Sequence, residues 1–170
     1  MQNIQFRQIY KDDPGLYQSL LPLWKDYFNE IDERKWDADL EEEVILDLKR
    51  RVKIQGNRKE MHFELFYCDD ALIGFANFAI NTGTHYGLLE EGYGMVAEFY
   101  IIPANRRKGY GKLFYGHVER TLICDGAKYI YLTPDLITGV PFWTAMGFSD
   151  SGKTDPDNKL PIYIKKLTVE

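Results

Sequence analysis

"MVAEFYIIPANRRKGYGKLF", residues 95–114, joins an apolar run to a basic turn and then to the start of an amphipathic pattern. The run Met95–Ile102 is rich in β-branched and aromatic residues, contains Glu98 as its one carboxylate, and reads as a central strand. Arg106, Arg107 and Lys108 follow it, then Gly109 and Gly111. Beyond them Leu113, Phe114, Val118 and Leu122 recur at helical spacing. A helix opening at this point aims its first amides, which have no partner inside the helix, at whatever lies before it, and its dipole favours negative charge there. Glycines at 109 and 111 let a ligand approach the backbone. A strand, a basic glycine turn and a helix in this order suit a pyrophosphate. They also suit a basic turn whose glycines serve only close packing.

Three phosphate-binding patterns compete for the turn. GxxxxGK[ST] is absent. GxGxxG is met at Gly109 and Gly111 but fails at Phe114, and a dinucleotide fold places that motif after its first strand, whereas here a hairpin and a third strand come first. The R-x-x-G-x-G turn of acyl-CoA sites is met at every position from Arg106 to Gly111.

Outward from the turn, the chain reads as alternating elements. Ile4–Tyr10 alternates with period two, as a strand does. Asp13 is placed to cap a helix with Pro14 at its first position, and Leu16, Leu20, Leu23, Trp24, Tyr27, Phe28 and Ile31 fall on one face. Pro22 should kink that helix or split it. Asp39 with Glu42 resembles a capping box for a second helix along Leu40, Val44, Leu48 and Val52. Met61–Cys68 and Ala71–Ile80 are two strands joined at Asp69–Asp70, a hairpin signal. After the glycine turn and its helix come a strand over Ala127–Thr133, a short helix ending near Gly147, and a closing strand over Leu160–Leu167. The order β-α-α-β-β-β-α-β-α-β predicts one mixed α/β domain over residues 1–170, with a largely antiparallel first half and one parallel crossover through the helix after the turn.

The composition excludes several classes of function. With 45% hydrophobic and 28% charged residues the chain is an ordinary globular sequence. A net charge of −5 argues against a general nucleic-acid partner. Two distant cysteines, Cys68 and Cys124, and three scattered histidines predict neither a disulfide scaffold nor a metal site, and fit a reducing cytosol. No signal sequence and no membrane-length apolar run is found, so a cytoplasmic protein without a membrane partner is expected. The oligomeric state is open, a homodimer included.

With these residues in view, the chain resembles the GNAT superfamily of N-acetyltransferases. "RRKGYG" (106–111) looks like that family's pyrophosphate loop, "AEFYIIP" (97–103) like its fourth strand, "YCDDALIGFANF" (67–78) like its second and third strands, and "PFWTAMGF" (141–148) like its last helix and Gly-Phe signature. The resemblance implies an α/β (α+β) fold with a mostly antiparallel sheet, a splayed central strand pair and flanking helices. It implies acetyl-CoA as cosubstrate, its pyrophosphate on backbone amides from Arg107 to Lys112 (Arg107, Lys108, Gly109, Tyr110, Gly111 and Lys112) beside Arg106. It implies that the backbone of Ile101 and Ile102 pairs with the pantetheine arm at the splay. Family members commonly carry a tyrosine four residues before the glycine of Gly-Phe, as general acid for the leaving thiolate. That position, among the cofactor-contacting residues, is Trp143 here, and "PDLITG" lacks the asparagine that often binds pantetheine.

The expected reaction is transfer of an acetyl group to a primary amine of a small-molecule or peptide acceptor by direct attack in a ternary complex. An alternative is a non-catalytic acyl-CoA-binding sensor or interaction module. A missing general acid costs about 10²–10⁴-fold in rate, and a thiol of pKa ~8.5 leaves tolerably without one. The amine is harder: at pKa ~10.4 only about one molecule in 2,500 is neutral at pH 7, a cost of roughly 4.6 kcal/mol. Glu98 is the candidate catalytic base, taking the proton directly or through water. The other reading of Glu98 is a strand residue paired with a basic neighbour. His85 and Tyr86 lie in a glycine-rich loop where acceptor contacts are common. The acids between Asp32 and Glu43 either attract a cationic amine or form a solvated helix start.

Overall fold

The computed structural model describes residues 2–82 and 89–168, so His85 and Tyr86 lie outside the described residues. The described elements run β1 (Ile4–Gln8), α1 (Pro14–Ile31), α2 (Ala38–Lys53), β2 (Met61–Cys68), β3 (Ala71–Ile80), β4 (Tyr93–Ile101), α3 (Tyr110–Cys124), β5 (Tyr129–Leu132), α4 (Gly139–Ala145), β6 (Ser149–Thr154) and β7 (Pro161–Lys166). The strands form a mixed, mostly antiparallel sheet in the order β1-β2-β3-β4-β5-β7-β6. The chain divides into two compact units, Met1–Asn77 with Glu98–Lys108, and Phe78–Ala97 with Gly109–Glu170.

In the first unit, α1 starts where Asp13 Oδ1 accepts the Leu16 amide at 2.9 Å, with Pro14 in the first turn. Pro22 does not split it: the helix is continuous, because Leu20 before the proline and Trp24 after it are both fully buried in the same core. The cap of α2 is Asp37, not Asp39. Asp37 has the extended backbone a cap needs, and its carboxylate accepts the Leu40 amide at 2.9 Å. Asp39 sits inside the first turn, where its charge meets the helix dipole. The hairpin reading of Asp69–Asp70 holds, since both residues have positive φ, 49° and 63°, as a two-residue primed turn requires. The buried stripe of α2 (Leu40, Val44, Leu48, Val52) joins Leu20, Trp24, Phe63, Leu65 and Phe75 in one aromatic-rich core.

In the second unit, the start of β4 runs parallel to β5. β7 is antiparallel to both β5 and β6. α3 buries Phe114, Tyr115, Val118 and Leu122; Leu113, expected on this face, is 44% exposed, and Tyr115 takes its place. β6 was not expected. "SDSGKT" carries no apolar alternation because it is a sheet edge with most side chains in solvent, so period two leaves no trace in its composition.

Candidate functional site

The basic turn begins where β4 ends. Ile102 donates its N–H to Ile73 O at 2.9 Å, and its carbonyl accepts from Asn105 at 2.9 Å, closing a 3-10 turn over Pro103–Asn105. Arg107 then takes a left-handed conformation (φ 62°), costly for a residue with a side chain. Gly109 follows with φ 88°, and a Cβ there would meet nothing within 4 Å, so the space in front of it is open. The first helical donor is Leu113, to Gly109 O at 3.1 Å. The amides of Tyr110, Gly111 and Lys112 precede it at the positive end of the dipole, and Gly109 has no side chain to cap them. Gly111 does a different job: a Cβ there would lie 3.1 Å from the Phe142 ring, so this glycine allows α3 to pack on α4.

The four cations of the turn divide into two kinds. Arg107, Lys108 and Lys112 are exposed, and none has a hydrogen bond or ion pair among the described residues. Arg106 is committed: its Nη atoms donate to both carboxylate oxygens of Glu30 (2.7 and 2.8 Å) and its Nε donates to Ile101 O at 2.7 Å.

Beside the turn lies the outgoing half of β4. Its ladder with β5 covers three pairs, from Tyr93↔Tyr129 to Met95↔Tyr131, while β4 continues to Ile101. Because the N–H of Ile102 faces β3, strand alternation turns the backbone groups of Ile101 and Phe99 the other way. Of the two residues expected to pair with pantetheine, Ile102 has both backbone groups committed inside its own unit, while Ile101 faces outward with its carbonyl already accepting from Arg106 Nε. β4 also approaches β3 closely: a Cβ on Gly74 would lie 2.3 Å from Tyr100 O.

Glu98 sits in a polar network in the first unit. Its side chain is 11% exposed, Arg51 Nη2 lies 3.0 Å from one carboxylate oxygen, and the Tyr27 hydroxyl donates to the other. Arg51 also donates to Asp47 (2.9 Å) and Asn77 (3.2 Å). Burial pushes the Glu98 carboxyl above the usual carboxylate range, while Arg51 and the Tyr27 hydroxyl pull it partly back. Glu98 is thus both a buried carboxyl of raised pKa and the partner of a basic neighbour. Sequence reasoning passed over Arg51 and placed Tyr27 only on the apolar face of α1. Asp47 and Arg51 flank the buried stripe of α2 one turn apart, a polar pair beside an apolar face that was a legible signal.

Trp143, at the place of the family tyrosine, is 7% exposed and packs edge-on against Tyr115, Phe142 and Phe148. The acids of the α1–α2 junction are largely engaged: Arg34 pairs with Asp32 and Glu43, Lys25 pairs with Glu41, and Asp37 caps. This favours the reading of a solvated helix start.

The model of the acetyltransferase (GNAT) family matches residues 17–148. The chain belongs to this acetyltransferase family. No curated protein sequence matches it. Among solved structures, the protein PH1933 of Pyrococcus horikoshii OT3 superposes with a TM-score of 0.74 at 15% identity, covering 98% of this chain and 100% of that one. The PaiA N-acetyltransferase of Thermoplasma acidophilum, solved in complex with coenzyme A, gives 0.67 at 18% identity over 97% and 99% of the two chains. An acetyltransferase from Thermus thermophilus gives 0.69 at 18% identity over 97% of each. At these identities the likeness is one of fold, and the GNAT family uses acetyl-CoA as its acyl donor. Among the described residues no helix is long and apolar enough to cross a membrane.

Proposed function

We propose that this GNAT protein transfers an acetyl group from acetyl-CoA to a primary amine by direct attack in a ternary complex. The observation that carries the reading is the turn after β4: helix-start amides at Tyr110–Lys112, open space before Gly109, and three exposed cations without partners among the described residues. These fit a pyrophosphate, and the outward-facing backbone of Ile101 fits an extended arm laid along β4. Acetyl-CoA supplies the activated acyl group. Glu98 accepts the proton of the attacking amine, directly or through water, and its raised pKa makes it the stronger base. Backbone N–H groups of β4 stabilise the oxyanion that develops at the acyl carbon. Trp143 has no hydroxyl, so the thiolate takes its proton from water or leaves without one.

Thiol release from acetyl-CoA, followed with a panel of amines across pH, tests the reading. Turnover with at least one amine, and an acidic limb lost in Glu98→Gln, is expected. Unchanged pH dependence in that variant would remove Glu98 from the base role. Coenzyme A binding without thiol release for any amine would favour the binding module, which the packed Trp143 also suits.

A further inference from the structure

The R-x-x-G-x-G pattern invites the view that Arg106 faces the phosphates, yet its side chain is the one basic group of the turn already engaged. The guanidinium offers five donors in a rigid fork. Two go in parallel to the Glu30 carboxylate and a third to the Ile101 carbonyl, while the group lies 5.3 Å over the Tyr100 ring. One side chain thus ties the C-terminal end of α1 to the last residue of β4 and to the first residue of the turn. Glu30 lies one helical turn beyond Tyr27, whose hydroxyl holds Glu98. The fork therefore also anchors the helix that presents Tyr27. Tyr100 completes the cluster, its ring under the guanidinium and its hydroxyl interacting with Arg106.

We propose that Arg106 is a positioning residue: clasped between Glu30 and Ile101, it holds the end of β4 and the start of the turn, and leaves the cofactor's phosphates to the amides and to Arg107, Lys108 and Lys112. Lysine cannot replace it, because a point charge on a flexible stem cannot hold a bidentate carboxylate and a carbonyl at once. The proposal rests on the acyl-CoA reading above and goes beyond it by assigning opposite signs to Glu30. If Arg106 bound phosphate, Glu30 would be a competitor. Removing its charge would free the guanidinium and lift a repulsion, so coenzyme A would bind more tightly. If Arg106 is a clasp, removing Glu30 loosens the turn and coenzyme A binds more weakly.

Titration calorimetry with coenzyme A on the full chain separates these cases. Glu30→Gln should weaken binding about 5-fold, the loss of one charge-assisted, half-exposed pair. Arg106→Lys should match it. The double variant should be no weaker than either single, because both remove one shared interaction. Amide exchange at residues 107–112 should speed up in Glu30→Gln while the melting temperature stays within about 2 °C of wild type, which a merely structural pair would not produce. Binding by Glu30→Gln as tight as wild type or tighter, or full affinity in Arg106→Lys, would overturn the proposal while leaving the acyl-CoA reading intact. A wild-type chain that does not bind coenzyme A would overturn that reading and the clasp with it.

Discussion

Replacing Gly74 by alanine should both destabilise the protein and weaken coenzyme A binding. In most positions outside a left-handed conformation, glycine to alanine stabilises by about 0.4–1 kcal/mol through the unfolded chain. Here the new Cβ would lie 2.3 Å from Tyr100 O and 2.8 Å from the Ile101 side chain. Tyr100 O is backbone, so β4 must retreat by roughly 1 Å to restore van der Waals contact. The Ile102 N–H bond to Ile73 O, now 2.9 Å, cannot survive that retreat. Overpacking of about 1–3 kcal/mol and a lost hydrogen bond of about 1 kcal/mol sum to roughly 2–4 kcal/mol. For a chain of this size that is a fall in melting temperature of about 5–15 °C. The displaced residues, Tyr100 and Ile101, belong to the strand end that carries the proposed cofactor contact, so affinity should fall about 10-fold as well. Thermal unfolding with and without coenzyme A, together with calorimetry, measures both effects. A variant as stable as wild type and with unchanged affinity would refute the close approach of β3 and β4 as the cause of the strand geometry.

Two further outcomes follow from the first unit. Arg51→Leu removes the cation that lowers the Glu98 carboxyl, which burial already holds above the usual carboxylate range, so the acidic limb expected from the proposed base should move higher. Since a carboxyl raised by folding binds its proton more tightly in the native state, the stability it contributes is complete below the unfolded pKa and is lost as pH rises through the folded one. Melting temperatures of Arg51→Leu against pH should show a steeper fall than wild type. Asp37→Ala should cost about 1 kcal/mol in urea unfolding, whereas Asp39→Ala should stay within about 0.5 kcal/mol of wild type; equal losses would return the α2 cap to Asp39.

Most of the fold was legible because its elements obey local rules. The strand–turn–helix at 95–114 declares itself through apolar content, glycines and helical spacing. The Asp69–Asp70 turn and the Asp13–Pro14 helix start are matters of backbone chemistry within a few residues. Where local rules are ambiguous or silent, sequence reading slipped: two acids two residues apart both look like caps, and an exposed edge strand such as β6 has no buried face to imprint on its composition.

The sequence alone determined that a helix starts at a basic glycine turn behind a central strand, and hence that an anion suits that place, because amide direction, dipole and charge are set within a dozen residues. It also nominated Glu98, the one carboxylate of its run. Tertiary structure decided what each of these residues is free to do. Glu98 acquired Arg51 from α2 and Tyr27 from α1, and burial between them raised its pKa. Arg106 was claimed by Glu30, 76 residues away, while Arg107 and Lys108 were left in solvent. Three adjacent basic residues are equivalent in a string of letters; they diverge because a partner's reach is a distance in space, and only the folded chain brings a carboxylate within 2.7 Å of one of them.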